Sequence, residues 1–283
     1  MEHDVLEIGE WSVRLEPLAT ALLACSHAGA RIAGFIAAAP LFPSGLVPWR
    51  FRAGFTLAVA LAVGYGGLGV ARGDASPVDP IAVVALPSFY LELLVEVALG
   101  LMLGWSALLV FAAARAAGSL LSDQIGFSLG AVVDPLADAG EPILRTFHGG
   151  LALFLCFALD LHQLFLRIAG ESLATLPPGS LAHAIDLDRV AGFLLGAVGG
   201  MFEATLAIAL PVSVVLLLVS TAQGVLTRVL PEIELFGMGF PVRVLVGLGV
   251  LIVTLPYMTE LTARLFRAAA EDSGAVILRL TTG

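Results

Sequence analysis

The sequence contains no lysine; all fourteen of its basic residues are arginine. Without lysine there is no Walker A loop, whose lysine reaches nucleotide phosphates, and no Schiff-base chemistry on a side chain. That argues against a motor that hydrolyses ATP on its own. Charge of either sign is scarce, at 13% of residues, too little to supply the polar faces that the helices of a soluble all-helical domain need. The net charge of −9 leaves no basic patch for nucleic acid. Only two cysteines occur, Cys25 and Cys156, both inside apolar runs and without Cys or His at ligand spacing. They read as small hydrophobes, so no disulfide, metal site or cofactor is expected. No H-E-x-x-H motif occurs, and no catalytic activity is expected.

What is abundant is apolar length. The 283 residues are 59% hydrophobic with a mean hydropathy of +0.99, and several runs approach the ~20 residues that cross a bilayer. The expected fold is all-α, a polytopic integral membrane protein with about six long hydrophobic helices and a polar, glycine-spaced interruption in the middle. Residues 1–17 form an acidic tail, with Glu2, Asp4, Glu7, Glu10 and Glu16 against Arg14, unlike the basic start of a cleaved signal peptide. The helical membrane domain spans 18–258. The tail at 259–283 carries Arg264, Arg267, Glu271 and Asp272 and reads as a short amphipathic surface helix.

Ionisable residues inside the apolar runs are the first candidates for function, because charge at membrane depth must face protein or water. Arg31 interrupts the first run, Leu18 to Pro40. Glu92 and Glu96 stand one helical turn apart in the third, Ala85 to Ala114, and two carboxylates so placed need a partner or a proton. Arg31 is a candidate partner. Asp160 and His162 lie in the fourth run, Phe147 to Ile168; at i and i+2 they occupy different helix faces and read as contacts between helices. Glu203 lies in Val190 to Ala222, where Pro211 predicts a kink.

Glycine spacing marks the packing faces. Gly100 and Gly104, then Gly118, Ser122, Gly126 and Gly130, then Gly192, Gly196 and Gly200 recur every fourth residue, giving grooves into which another backbone fits, in this chain or in another subunit. The central stretch, 115–142, adds Asp123, Gln124, Asp134, Asp138 and Glu141 to such a groove. A segment this polar and glycine-spaced, with Gln124, Ile125, Gly126, Phe127, Ser128, Leu129 and Gly130 at its centre, packs against protein and not lipid. Two further classes remain open on these residues: a stand-alone secondary transporter using Glu92, Glu96, Asp160 and Glu203, and, with least support, a membrane enzyme using Asp160 and His162.

The chain resembles the FliR/SctT family of type III export-apparatus proteins, from about Arg31 to Met258. The resemblance rests on G-x-x-x-x-x-Q-x-G-x-S from Gly118 to Ser128 followed by Asp134 and Pro135. It is carried too by A-P-L-F at Ala39 to Phe42 with Pro48, Arg50 and Arg52, by E-V-A-L-G-L-M-L-G at Glu96 to Gly104, and by P-E-I-E-L-F-G-M-G-F-P-V-R at Pro231 to Arg243. The chain departs from the family at Asp160 to Gln163 and in carrying Glu232 and Glu234 in place of amides. His162 and the turn at Pro177 to Gly179 lean toward the flagellar branch over the virulence branch. The resemblance implies an export-gate subunit in the bacterial inner membrane at the flagellar basal body. It further implies FliP-like and FliQ-like subunits, an FlhB-like protein and exported unfolded polypeptides as partners, and a loop matching the central stretch that plugs the closed pore.

Overall fold

The computed structural model describes residues 5–8, 11–39, 48–66, 87–127, 141–176, 187–229 and 239–281. Seven α-helices account for nearly all of them: α1 (Leu15–Ala38), α2 (Trp49–Gly66), α3 (Pro87–Ile125), α4 (Ile143–Ala158), α5 (Leu161–Thr175), α6 (Leu187–Val229) and α7 (Phe240–Thr281). The fold is all-α apart from one antiparallel hairpin, β1 (Val5–Ile8) with β2 (Trp11–Arg14), paired from Val5 opposite Arg14 to Ile8 opposite Trp11. The acidic tail is thus partly ordered, and α1 starts inside it. Three helices, α3, α6 and α7, are long and apolar enough to cross a membrane, and a fourth span results if α4 and α5, bent by 68° at their junction, count as one. Six spans were expected; the described residues of α1 and α2 do not meet that test of length and composition.

Several boundaries differ from the sequence reading for local reasons. The third run does not end at Ala114 but continues as helix to Ile125, because Arg115 to Gln124 contains no proline and includes the strong helix formers Ala116, Ala117, Leu120 and Leu121. Pro87 opens it at the first helical position, where its missing N–H costs nothing. The fourth run is two helices: Asp160 takes a left-handed backbone (φ 54°), a conformation that aspartate tolerates better than most residues. Both α6 and α7 run through their prolines, Pro211 and Pro256, so the tail at 259–283 is no separate surface helix but the end of α7.

The chain divides into two compact units, residues 1–108 with 163–194 and 270–283, and residues 109–162 with 195–269. In the first, Ile32, Phe35 and Ile36 of α1, Leu99 and Leu103 of α3, and Phe165 and Ala169 of α5 are buried. The second is centred on Leu121 and Ile125 of α3, Leu144 of α4, Ile208, Val212 and Leu216 of α6, and Leu251 and Met258 of α7. Elsewhere α6 and α7 keep large apolar side chains exposed, among them Leu195, Phe202, Leu217, Leu245, Ile252 and Val253. A face of this kind belongs against lipid or another membrane subunit.

Candidate functional site

The first unit holds a two-rung ladder between α1 and α3, one rung of it a buried ion pair. Arg31 on α1, only 1% exposed, donates from Nε to Glu96 Oε2 on α3 at 2.6 Å. One turn earlier His27 Nε2 lies 3.3 Å from Glu92 Oε2, so the spacing of two groups on α1 matches that of two carboxylates on α3. The numbering rises together on both helices, which means that α1 and α3 run parallel where they meet. The His27 ring is fixed by Nδ1 bonding to the Leu23 carbonyl at 2.9 Å and by an edge-on contact with Phe89. Arg31 reaches further: its Nη1 donates to the carbonyls of Ser172 (2.7 Å) and Leu176 (3.1 Å) at the end of α5. A cation there gives the Leu176 carbonyl a donor, adds a second to the Ser172 carbonyl, which already accepts the Leu176 N–H at 2.9 Å, and faces the negative end of the helix dipole. One guanidinium therefore ties three helices.

Small residues let these helices close. A Cβ added at Gly100 would run into the Arg31 carbonyl, one at Gly104 would lie 2.5 Å from the Phe35 carbonyl oxygen, and one at Gly34 would collide with the Val97 carbonyl. Midway along α3, Ser106 receives a hydrogen bond of 2.7 Å from Ser273.

The second unit holds the described part of the central stretch. Here Gly118 packs on the backbone of Leu144 and Arg145, so α4 returns against α3. The helical groove expected through Gly126 and Gly130 stops short, because α3 ends at Ile125 and Gly126 has φ 103°, a left-handed value. The N–H groups of Gly126 and Phe127 both bond to the Ser122 carbonyl at 3.0 Å, closing the helix as a glycine cap. Substituting Gly126 by alanine is expected to cost about 1–2 kcal/mol through this backbone strain, read as a lower unfolding temperature in detergent; an unchanged midpoint would remove the cap from this account. Ile125 is fully buried, and a Cβ at Gly247 of α7 would stand 2.7 Å from its Cγ1. The residue therefore anchors the start of the segment in the core. Phe127 packs against the same cluster, while Ser128, Leu129 and Gly130 fall outside the described residues. Across the stretch, Arg115 donates from Nη2 to both carboxylate oxygens of Glu141, at 2.6 and 2.9 Å.

Gly126 to Gly130 also spells G-x-S-x-G, the pattern of a hydrolase nucleophile elbow. That elbow joins a strand to a helix, whereas this segment follows the capped end of a helix, so the pattern carries no such meaning here. Asp160 and Glu203, grouped with the buried charges from sequence, are exposed in the chain. His162 leans on Phe157, ring centroids 5.0 Å apart. At Gly192, Gly196 and Gly200 an added Cβ would meet nothing within 4 Å among the described residues.

The sequence matches the family described as bacterial export proteins, family 1, over residues 22–269. The chain belongs to that family. Among its relatives, the flagellar biosynthetic protein FliR of Pectobacterium carotovorum is 27% identical over 256 residues, 89% of this chain and 92% of that protein. FliR of Escherichia coli strain K12 is 27% identical over 237 residues, 83% and 85% of the two chains. FliR of Bacillus subtilis strain 168 is 27% identical over 242 residues, 85% and 89%. The family match encloses the ion-pair ladder, the capped end of α3 and the bend at Asp160. Sequence reasoning did not find His27, Gly34, Ser172 or Gly247 in this export protein. The equal spacing of His27 and Arg31 with Glu92 and Glu96 is the one signal that points to any of them.

Proposed function

We propose that this chain is a subunit of the flagellar type III protein export gate, part of the inner-membrane conduit for unfolded flagellar proteins. The observation that carries the reading is the full-length similarity to proteins named flagellar biosynthetic protein FliR. The geometry supports it. A gate subunit needs rigid packed helices, exposed apolar faces for neighbours, and one interrupted element. The ladder and the glycine contacts supply the first, α6 and α7 the second, and the break between α3 and α4 the third. The chain works in one assembly with FliP-like and FliQ-like subunits and meets an FlhB-like protein, while the ATPase resides on another subunit. Tagging the chain in its native host and extracting it in mild detergent should recover a complex of fixed composition with two other small apolar subunits. Recovery alone or as a homodimer would reject the gate.

Within that gate, the segment from Gln124 to Val133 obstructs the resting pore. Its beginning is held by Ile125 and the glycine cap, so the obstruction is supplied by the residues after Phe127. Deleting Ser128 to Val133 is expected to raise ion leakage through the assembled complex several-fold, measured as conductance across a planar bilayer. Unchanged conductance would take the plug out of the mechanism.

A further inference from the structure

Glu203 is the single charged residue between Arg189 and Arg228 of α6, a helix whose mean hydropathy over its candidate span reaches 2.3. The chain is predominantly apolar on both sides of it, from Val190 to Phe202 and from Ala204 to Ala222. A bilayer core of ~20 residues placed so as to leave Glu203 in water strands one of those two segments there instead.

The carboxylate faces away from the chain's own core. Ala204, Thr205, Ile208, Ala209 and Val212 form the buried face of this part of α6. With about 100° of rotation per residue, Glu203 stands opposite the middle of that face, and it is exposed. On its own side lie Gly196, Gly199 and Gly200, where an added Cβ would meet nothing within 4 Å among the described residues, and the exposed Leu206 and Leu210. Among the described residues Glu203 takes part in no hydrogen bond and no ion pair. All of these residues belong to the second unit.

The charge decides what can cover this face. Hydrocarbon offers no cation to a carboxylate and no partner to the hydroxyl of the neutral acid. A second copy packed through the same face brings another Glu203 and no basic residue between Arg189 and Arg228. We propose, on the reading of the chain as a gate subunit, that this face docks a transmembrane helix of a different subunit, one that carries an arginine or lysine within its apolar stretch, and that this cation pairs with Glu203. The three glycines let the incoming backbone approach closely beside the pair. Leu206 and Leu210 give it apolar surroundings on the other side, where the attraction between opposite charges is stronger than in water.

The test uses the assembly extracted from native membrane, with a photoreactive residue in place of Leu206. Cross-linking to a transmembrane segment of another subunit is expected, with an arginine or lysine within about two turns of the linked residue when the cross-linked peptide is sequenced. Glu203→Arg should lower co-recovery of that subunit about tenfold or more, because it sets like charges against each other. Changing the partner helix's basic residue to glutamate in the Glu203→Arg background should restore co-recovery to within about twofold of wild type, which a chain that had failed to fold would not do. In a complex that keeps its other subunits, cross-links confined to lipid, to a second copy or to this same chain would overturn the pairing and leave the gate standing. A cross-linked helix with no basic residue there, or undiminished co-recovery with Glu203→Arg, would do the same. Recovery of the wild-type chain alone would overturn both.

Discussion

Arg31→Met is expected to destabilise the chain by about 3–5 kcal/mol, the cost of leaving one member of a buried ion pair without its partner. Glu96 is 1% exposed and loses the guanidinium at 2.6 Å. In the same substitution two carbonyls at the end of α5 lose the guanidinium, and Ser172 keeps only the Leu176 N–H. The measurement is thermal unfolding of the purified assembly, together with its yield from the membrane. Adding Glu96→Leu should recover part of the loss, because it removes the stranded carboxylate, but not all of it, because Ser172 and Leu176 remain without the guanidinium. Full recovery in the double variant would mean that the α5 contacts contribute nothing. Wild-type stability in Arg31→Met alone would remove the ladder as a structural element.

Gly100→Val is expected to be as damaging by a different route. Its Cβ would overlap the backbone of α1 at Arg31 and Phe35, and two helical backbones cannot yield as a flexible side chain can. Overpacking in a well-packed core typically costs about 1–3 kcal/mol, and a backbone collision belongs at or above the upper end. The helices would have to separate, lengthening the Arg31 to Glu96 contact as they do. Gly54→Ala is the matched control, since nothing lies within 4 Å of its added Cβ; alanine should be neutral there or stabilising by up to about 1 kcal/mol. Thermal unfolding of the two variants side by side decides the matter. A Gly100→Val protein as stable as Gly54→Ala would mean that α1 and α3 do not approach as closely as described.

The contrast between those glycines shows what could be read from sequence. Gly100 and Gly104 were legible because GxxxG spacing and close approach express the same helical geometry. The same spacing at Gly118, Ser122, Gly126 and Gly130 predicted a longer groove, but spacing does not say which glycine will take a left-handed backbone and end the helix. At Gly192, Gly196 and Gly200 the pattern is as regular and the described residues supply no neighbour. The Arg31 to Glu96 pairing could be suspected but not placed, since 65 residues separate the two. The bend at Asp160 was hidden because neither proline nor glycine stands at Leu159 or Asp160, and the polar group there read as a contact between helices.

The ladder also imposes an order in time. Arg31 is made 65 residues before Glu96 and 141 before Ser172, which at about 5–20 residues per second is a wait of roughly 3–13 s for the first partner and twice that for the second. During that interval α1 carries a cation that lipid does not accept readily. The pair on α1 and α3 is complete only once α3 has been made, and the later arrival of α5 closes it in.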